Sequence, residues 1–133
     1  MQIRAQVSDQ HLCRHDGDGW FRLKPDIIVS NGVESWIVDT KWKILSGDRN
    51  GQYDLNQSDF YQLFAYGQKY FDGSGDLFLV YPRTAAFPEP FSPFYFSPQM
   101  RLRVLPFDLL RREAPYPFLS RQVATPSEGI AKL

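Results

Sequence analysis

The feature that most restricts this chain is a pair of β-rich runs, Trp20 to Ser30 and Val33 to Leu45, separated by Asn31-Gly32. Asn-Gly between two such runs predicts a β-hairpin closed by a type I′ turn. Pro25 lies inside the first run and marks a strand start, a bulge or an edge position. Ile27, Ile28, Val29, Trp36, Ile37, Val38 and Trp42 make the hairpin apolar on both faces. Charges set into such a hairpin need a reason, because unpaired burial is costly. Three stand there: Asp26, Asp39 and Lys41.

Hairpin geometry decides whether these three meet. With a two-residue loop, Ser30 opposes Val33 and Asp26 opposes Ile37. Opposed side chains share a face, as do alternate residues along one strand, so Asp26, Asp39 and Lys41 project together. A four-residue loop sets Asp26 directly against Asp39 and keeps the convergence. A three-residue loop sends the two carboxylates to opposite faces.

Convergence of this kind suits phosphodiester hydrolysis. Carboxylates hold a hard cation such as Mg²⁺, which polarises a phosphate and lowers the pKa of a bound water. A nearby ammonium orients the nucleophile and offsets the charge that builds in the transition state. The triplet Asp39-Thr40-Lys41 carries little weight alone, since an acid-x-Lys sequence arises by chance about once per 150 residues. Asp26 after Pro25 also fits a turn, and an Asp–Lys pair on a strand also fits a solvated surface.

Elsewhere the pattern reads as strands and one helix. Residues 3–15 alternate as a strand, and Asp16-Gly17-Asp18-Gly19 reads as a turn. Residues 46–58 are polar and form a loop. Asp59 is the expected N-cap of a helix over Phe60–Phe71, whose apolar residues keep a helical period until Asp72-Gly73. Leu77–Tyr81 reads as a buried strand parallel to an earlier one after a helical crossover. Phe94–Phe96 and Met100–Pro106 are two further strands, and 111–133 is a tail. The sum is an α/β mixed sheet with one visible helix, which leaves the second sheet face without an evident cover.

Composition narrows the class. A chain of 133 residues with 43% hydrophobic content forms one domain with a real core. Cys13 is the only cysteine, which excludes an internal disulfide and a four-cysteine iron–sulfur cluster. No secretion signal or membrane-length apolar run is visible, which predicts a soluble, cytoplasmic domain without a membrane partner. The formal net charge of zero argues against strong autonomous DNA binding, though not against chemistry on DNA.

Four ordered blocks carry a resemblance: Leu23–Val29 (LKPDIIV), Ile37–Lys43 (IVDTKWK), Asp59–Tyr66 (DFYQLFAY) and Leu79–Pro82 (LVYP). Together they resemble the C-terminal nuclease domain of the McrC family, the endonuclease subunit of the modified-cytosine-specific McrBC restriction system. The resemblance covers roughly residues 20–110 and implies a PD-(D/E)xK enzyme with a restriction-endonuclease-like mixed β-sheet and a flanking helix. It implies that Asp26 and Asp39 ligate Mg²⁺, for which Mn²⁺ can substitute. The Thr40 carbonyl would add a third oxygen, and Lys41 would be the catalytic lysine. Gln62 and Tyr66 resemble the Gln-x-x-x-Tyr element of the related RecB-like nucleases. DNA as substrate and a McrB-like AAA+ GTPase as partner follow from the same likeness.

Plainer roles stand beside these. Gln62, three residues after Asp59, fits a helix cap, and Tyr66 fits a core tyrosine with a satisfied hydroxyl. The family's N-terminal helix, with its motif glutamate, is not recognisable, so the expectation is a nuclease core over 1–110 lacking that helix. Two rival functions remain open: a RecB-like or Cas4-like nuclease without an iron–sulfur cluster, and an inactive remnant or interaction domain. His11, Cys13 and His15 alternate as a conceivable metal trio, but three ligands without outer partners read better as strand residues. Arg101, Arg103, Arg111, Arg112 and Arg121 read as solvated surface.

Overall fold

A computed structural model describes residues 2–108 of the chain. Its strands are β1 (Gln2–Ala5), β2 (Gln10–His15), β3 (Asp18–Leu23), β4 (Ile27–Ser30), β5 (Ser35–Thr40), β6 (Gly75–Pro82), β7 (Phe94–Ser97) and β8 (Met100–Phe107). One α-helix, α1 (Gln57–Phe71), links β5 to β6, and a 3-10 segment covers Arg49–Asp54. Six strands form one sheet in the order β1-β4-β5-β6-β8-β7, while β2 and β3 form a separate two-stranded sheet. The large sheet is mixed: β5, β6 and β8 run parallel, and β1, β4 and β7 join antiparallel. The parallel β5–β6 pair spans the α1 crossover, as parallel strands require.

The hairpin exists, with a different turn. Ile27 pairs with Val38, Ile28 with Ile37, Val29 with Trp36 and Ser30 with Ser35, which leaves the four residues Asn31–Glu34 as the loop. The expected two-residue turn is replaced because the Asn31 side chain organises a wider one. Its Oδ1 accepts hydrogen bonds from the Val33 N–H at 2.9 Å and the Glu34 N–H at 2.7 Å. Such asparagine-anchored turns mimic a backbone turn. The two-residue turn lies instead at Asp16-Gly17, where φ is +50° and +85° and His15 pairs with Asp18.

Two predicted strands break in two. Residues 3–15 divide between β1 and β2, with Gln6 between them at φ +51°. The run from Trp20 to Ser30 breaks at Lys24-Pro25, so β3 pairs with β2 and β4 begins afresh in the large sheet. Pro25 lacks a ladder donor, and the boundary falls where it must. The helix also starts earlier than Asp59. Its N-cap is Asn56, whose side chain accepts from the Ser58 N–H, and its C-cap Asp72 is left-handed at φ +54°.

The sheet is buried on both faces. Toward α1 lie Ile28, Ile37, Leu77, Leu79, Tyr81, Met100, Leu102 and Val104, packed with Leu63 and Tyr66 of the helix. Gly67 is where the helix comes closest: an added Cβ would collide with Met100 Sδ and sit 3.1 Å from Leu77 Cδ1. The opposite face holds Val29, Trp36, Val38, Phe78 and Leu105. Trp36 is 2% exposed and Phe78 is 0%, so this face is not the open surface that one visible helix suggested.

Two arginines expected on the surface are placed otherwise. Arg101 grips buried Asp76 through two parallel bonds, Nε–Oδ1 at 2.8 Å and a terminal NH2–Oδ2 at 2.9 Å. Arg103 is buried, and its Nε has no hydrogen-bond partner among the described residues. Arg111, Arg112, Arg121 and the predicted tail lie outside the described residues.

Candidate active site

The site forms where β5 ends and α1 begins. Extending the β4–β5 register by one pair sets Asp26 across from Asp39. Their contact is direct: the Asp26 backbone N–H donates to Asp39 Oδ1 at 3.3 Å. Asp26 Oδ2 accepts from both the backbone N–H and the hydroxyl of Thr40, each at 3.0 Å. One residue past β5, the Lys41 N–H continues the parallel ladder to the Val80 carbonyl at 2.9 Å. That bond holds the lysine backbone in register although the strand has ended.

Lys41 sends its ammonium into three acceptors. Asp39 Oδ2 lies 2.9 Å from Nζ, Asp59 Oδ1 3.4 Å and Gln62 Oε1 3.1 Å. Asp39 stands on the helix-facing side of β5, while Asp59 and Gln62 share one edge of α1 at three-residue spacing. Tyr66, one turn beyond Gln62, is buried, and the charges of both Asp39 and Asp26 act on its phenol. The structure therefore brings Asp26, Asp39, Thr40, Lys41, Gln62 and Tyr66 into one region.

Asp59 belongs with them. Expected from sequence as a helix cap at the head of the DFYQLFAY block, it lies within the first turn and faces the lysine. The available signal was its spacing, since positions 59, 62 and 66 fall on one helical stripe. Behind Asp59, the Tyr81 hydroxyl donates to Oδ2 at 3.5 Å, at the long end of hydrogen bonding.

Electrostatics follow from burial. Asp39 is 3% exposed, and desolvation raises its pKa above the usual carboxylate value. The hydrogen bond and charge of Lys41 oppose that rise, and the charge of Asp26 adds to it. Desolvation pulls the Lys41 ammonium down, but its contacts with Asp39 and Asp59 outweigh it and leave the pKa raised. Lys41 is thus held protonated, as an electrostatic role requires. Tyr66 is pushed upward by burial and then by the two aspartates, and a backbone hydrogen bond at Lys24 opposes them. Its phenol stays neutral at physiological pH.

The donor set can be tested for a cation. Among the described residues no three His, Cys, Asp or Glu side chains are grouped to enclose a metal ion. A pair of carboxylates suits Mg²⁺, which binds through one or two carboxylates and keeps waters and substrate oxygens as its other ligands. Asp26 and Asp39 are the two acids in direct contact, and Asp59 shares Lys41 with Asp39. A hollow of about 430 Å³ opens beside Asp26, lined also by Gln6, Ser8, Lys24 and Pro25. A larger hollow of about 650 Å³ lies near Trp36, Asp76 and Arg101, at the opposite end of β5 from Asp39. His11, Cys13 and His15 gather no metal set, and Cys13 is exposed.

A mixed sheet with a crossover helix, and acids at the strand ends facing it, defines a restriction-endonuclease-like domain. The family described as McrBC 5-methylcytosine restriction system component matches residues 1–82. The chain belongs to that family.

One solved structure places a similar fold in an assembly, described as the refined half-complex from the tetradecameric assembly of Thermococcus gammatolerans McrB AAA+ hexamers with bound McrC. A chain of it superposes with a TM-score of 0.59 at 12% identity, over 86% of this chain. This chain spans only 25% of that chain. No curated protein matches the sequence. Among the described residues no helix is long and apolar enough to cross a membrane.

Proposed function

We propose that this chain is the Mg²⁺-dependent DNA endonuclease domain of a McrC-like restriction subunit, with a PD-(D/E)xK site and Mn²⁺ as a competent substitute. The observation that carries this reading is the Lys41 ammonium 2.9 Å from buried Asp39, with Asp26 held against the same carboxylate. Unpaired charge is costly to bury, and Asp26 brings a second acid to a carboxylate that already has its cation.

In this reading Asp26 and Asp39 hold the metal, with the Thr40 carbonyl as a third oxygen. The metal supplies Lewis acidity at the phosphate and a more acidic water. Lys41 would orient the attacking water and balance the negative charge that builds on the phosphate in the transition state. Gln62 holds the lysine from the helix side, and the Tyr66 phenol stands within the field of both acids. The zero net charge leaves DNA affinity to a partner, and a McrB-like AAA+ GTPase in the cytoplasm fits both the family and the assembly that holds the similar fold.

The test is DNA nicking by the purified protein with Mg²⁺ or Mn²⁺, alone and with a McrB-like partner. Asp39→Ala and Lys41→Ala should each lower the rate at least about a hundredfold. Equal cleavage by the wild-type and variant proteins would refute the assignment.

A further inference from the structure

We propose that Asp59 is the positioning residue that keeps Lys41 in the site when the Asp39 carboxylate turns to a cation. The inference rests on the nuclease reading above and extends it to a residue outside the Asp–Asp–Lys set.

An ammonium has three N–H donors, and Lys41 meets three acceptors: Asp39, Gln62 and Asp59. The closest of these, Asp39, is also a proposed metal ligand. A carboxylate that bonds a divalent cation gives up charge to it and holds a lysine less firmly. The remaining grip must come from groups that do not touch the metal. Gln62 offers a neutral oxygen, whereas Asp59 offers a charged one, and charge-assisted bonds are the stronger kind. Asp59 sits on α1 and Asp39 on β5, so a shift of one does not drag the other.

Asp59 is itself steadied from the core. Its Oδ2 faces the hydroxyl of Tyr81, which is 1% exposed on β6, and its Oδ1 faces Lys41. Tyr81, Asp59 and Lys41 thus form a line from packed interior to reacting centre. An acid in a first helical turn also complements the helix dipole. That role needs neither a lysine nor a buried phenol, and it leaves Lys41 indifferent to loss of the acid.

The experiment compares wild type, Asp59→Ala, Tyr81→Phe and Asp39→Asn with and without Mn²⁺. Calorimetry reads metal binding, mass spectrometry reads reductive methylation of Lys41, and a DNA assay reads kcat and KM. Asp59→Ala should bind Mn²⁺ within about threefold of wild type, whereas Asp39→Asn should lose binding by a hundredfold or so. With Mn²⁺ present, Lys41 of Asp59→Ala should methylate about tenfold faster than in wild type, and kcat should fall about 10–100-fold at unchanged KM. Tyr81→Phe keeps the packed ring, should shift the same readouts in the same direction, and serves alone if Asp59→Ala does not fold. Wild-type methylation of Lys41 in both Mn²⁺-loaded variants would overturn the proposal, as would loss of Mn²⁺ binding in Asp59→Ala, which would make Asp59 a ligand. A wild type that binds no Mn²⁺ would overturn the nuclease reading itself, and this inference with it.

Discussion

Asp26 Oδ2 accepts two hydrogen bonds from Thr40, one from the backbone N–H and one from the hydroxyl, each at 3.0 Å. The acid that precedes β4 is thereby locked to the residue that ends β5. Its second oxygen stays free of these bonds, and its own N–H reaches back to Asp39. The two acids are fixed relative to each other at one end of the paired strands β4 and β5.

Thr40→Val tests this lock. The substitution removes the hydroxyl and keeps the backbone N–H, so Asp26 loses one of its two anchors from Thr40. Loss of an outer hydrogen bond to a metal ligand costs about 10–100-fold in affinity or activity. Because the backbone bond remains, Mn²⁺ affinity by calorimetry should fall by about tenfold, at the low end of that range. Thr40 is exposed, so thermal stability without metal should stay near wild type. Unchanged metal affinity would show that the backbone bond alone orients Asp26.

Asp39 gives a pH signature with a definite sign. Burial raises its pKa in the fold above the ordinary value of 3.8, so the folded state holds this proton more tightly than the unfolded state does. Below the ordinary value both states are protonated and burial exacts no charge penalty. As pH rises from there through the raised value, stability falls, and above it the loss is complete. Without metal, wild type should therefore lose stability relative to Asp39→Asn as pH rises through that window, on top of the pH-independent cost of the variant's broken Lys41 contact. Mn²⁺ at about 100 times its Kd should then stabilise wild type by about 2.7 kcal/mol and leave the Asn variant unmoved. A wild type that gains stability relative to the variant as pH rises through that window would contradict the sign.

The sequence made the site more legible than the path of the chain. Asp26, Asp39 and Lys41 were readable because a period-two strand fixes which side chains share a face, and a four-residue loop preserves that relation as a two-residue loop does. The parallel β6 was readable from its short apolar run. The division of Trp20–Ser30 was not, since its two halves are equally β-rich and only Pro25 marks their parting into different sheets. Both turns fall where they were expected, but Asn31-Gly32 and Asp16-Gly17 carry the same local signal for a two-residue loop. The Asn31 side chain, bonded to two downstream N–H groups, decided between a tight and a wide loop. Asp59 escaped notice because its cap-like position masked the stripe it shares with Gln62. Arg103 escaped because alternation along β8 sets it on the second sheet face beside Leu105, a burial that polarity alone argues against.

Asp76 and Arg101, at the far end of the sheet from the acid pair, define a stability test independent of catalysis. Asp76 is 4% exposed and receives both guanidinium bonds of Arg101. Burial lowers the pKa of neighbouring Arg103, the Asp76 charge opposes that, and the Arg101 charge reinforces it. Asp76→Asn therefore removes the carboxylate charge that acts on both guanidiniums. Removing one partner of a buried pair costs about 3–5 kcal/mol, and partial exposure of Arg101 places the expected loss near 3 kcal/mol in denaturant unfolding. The double variant Asp76→Leu/Arg101→Met removes the charge and its like-charged neighbour together. It should be more stable than Asp76→Asn, because an apolar pair of similar volume avoids both desolvation and repulsion at Arg103. A double variant less stable than the single one would mean that the ion pair contributes net stability in its own right.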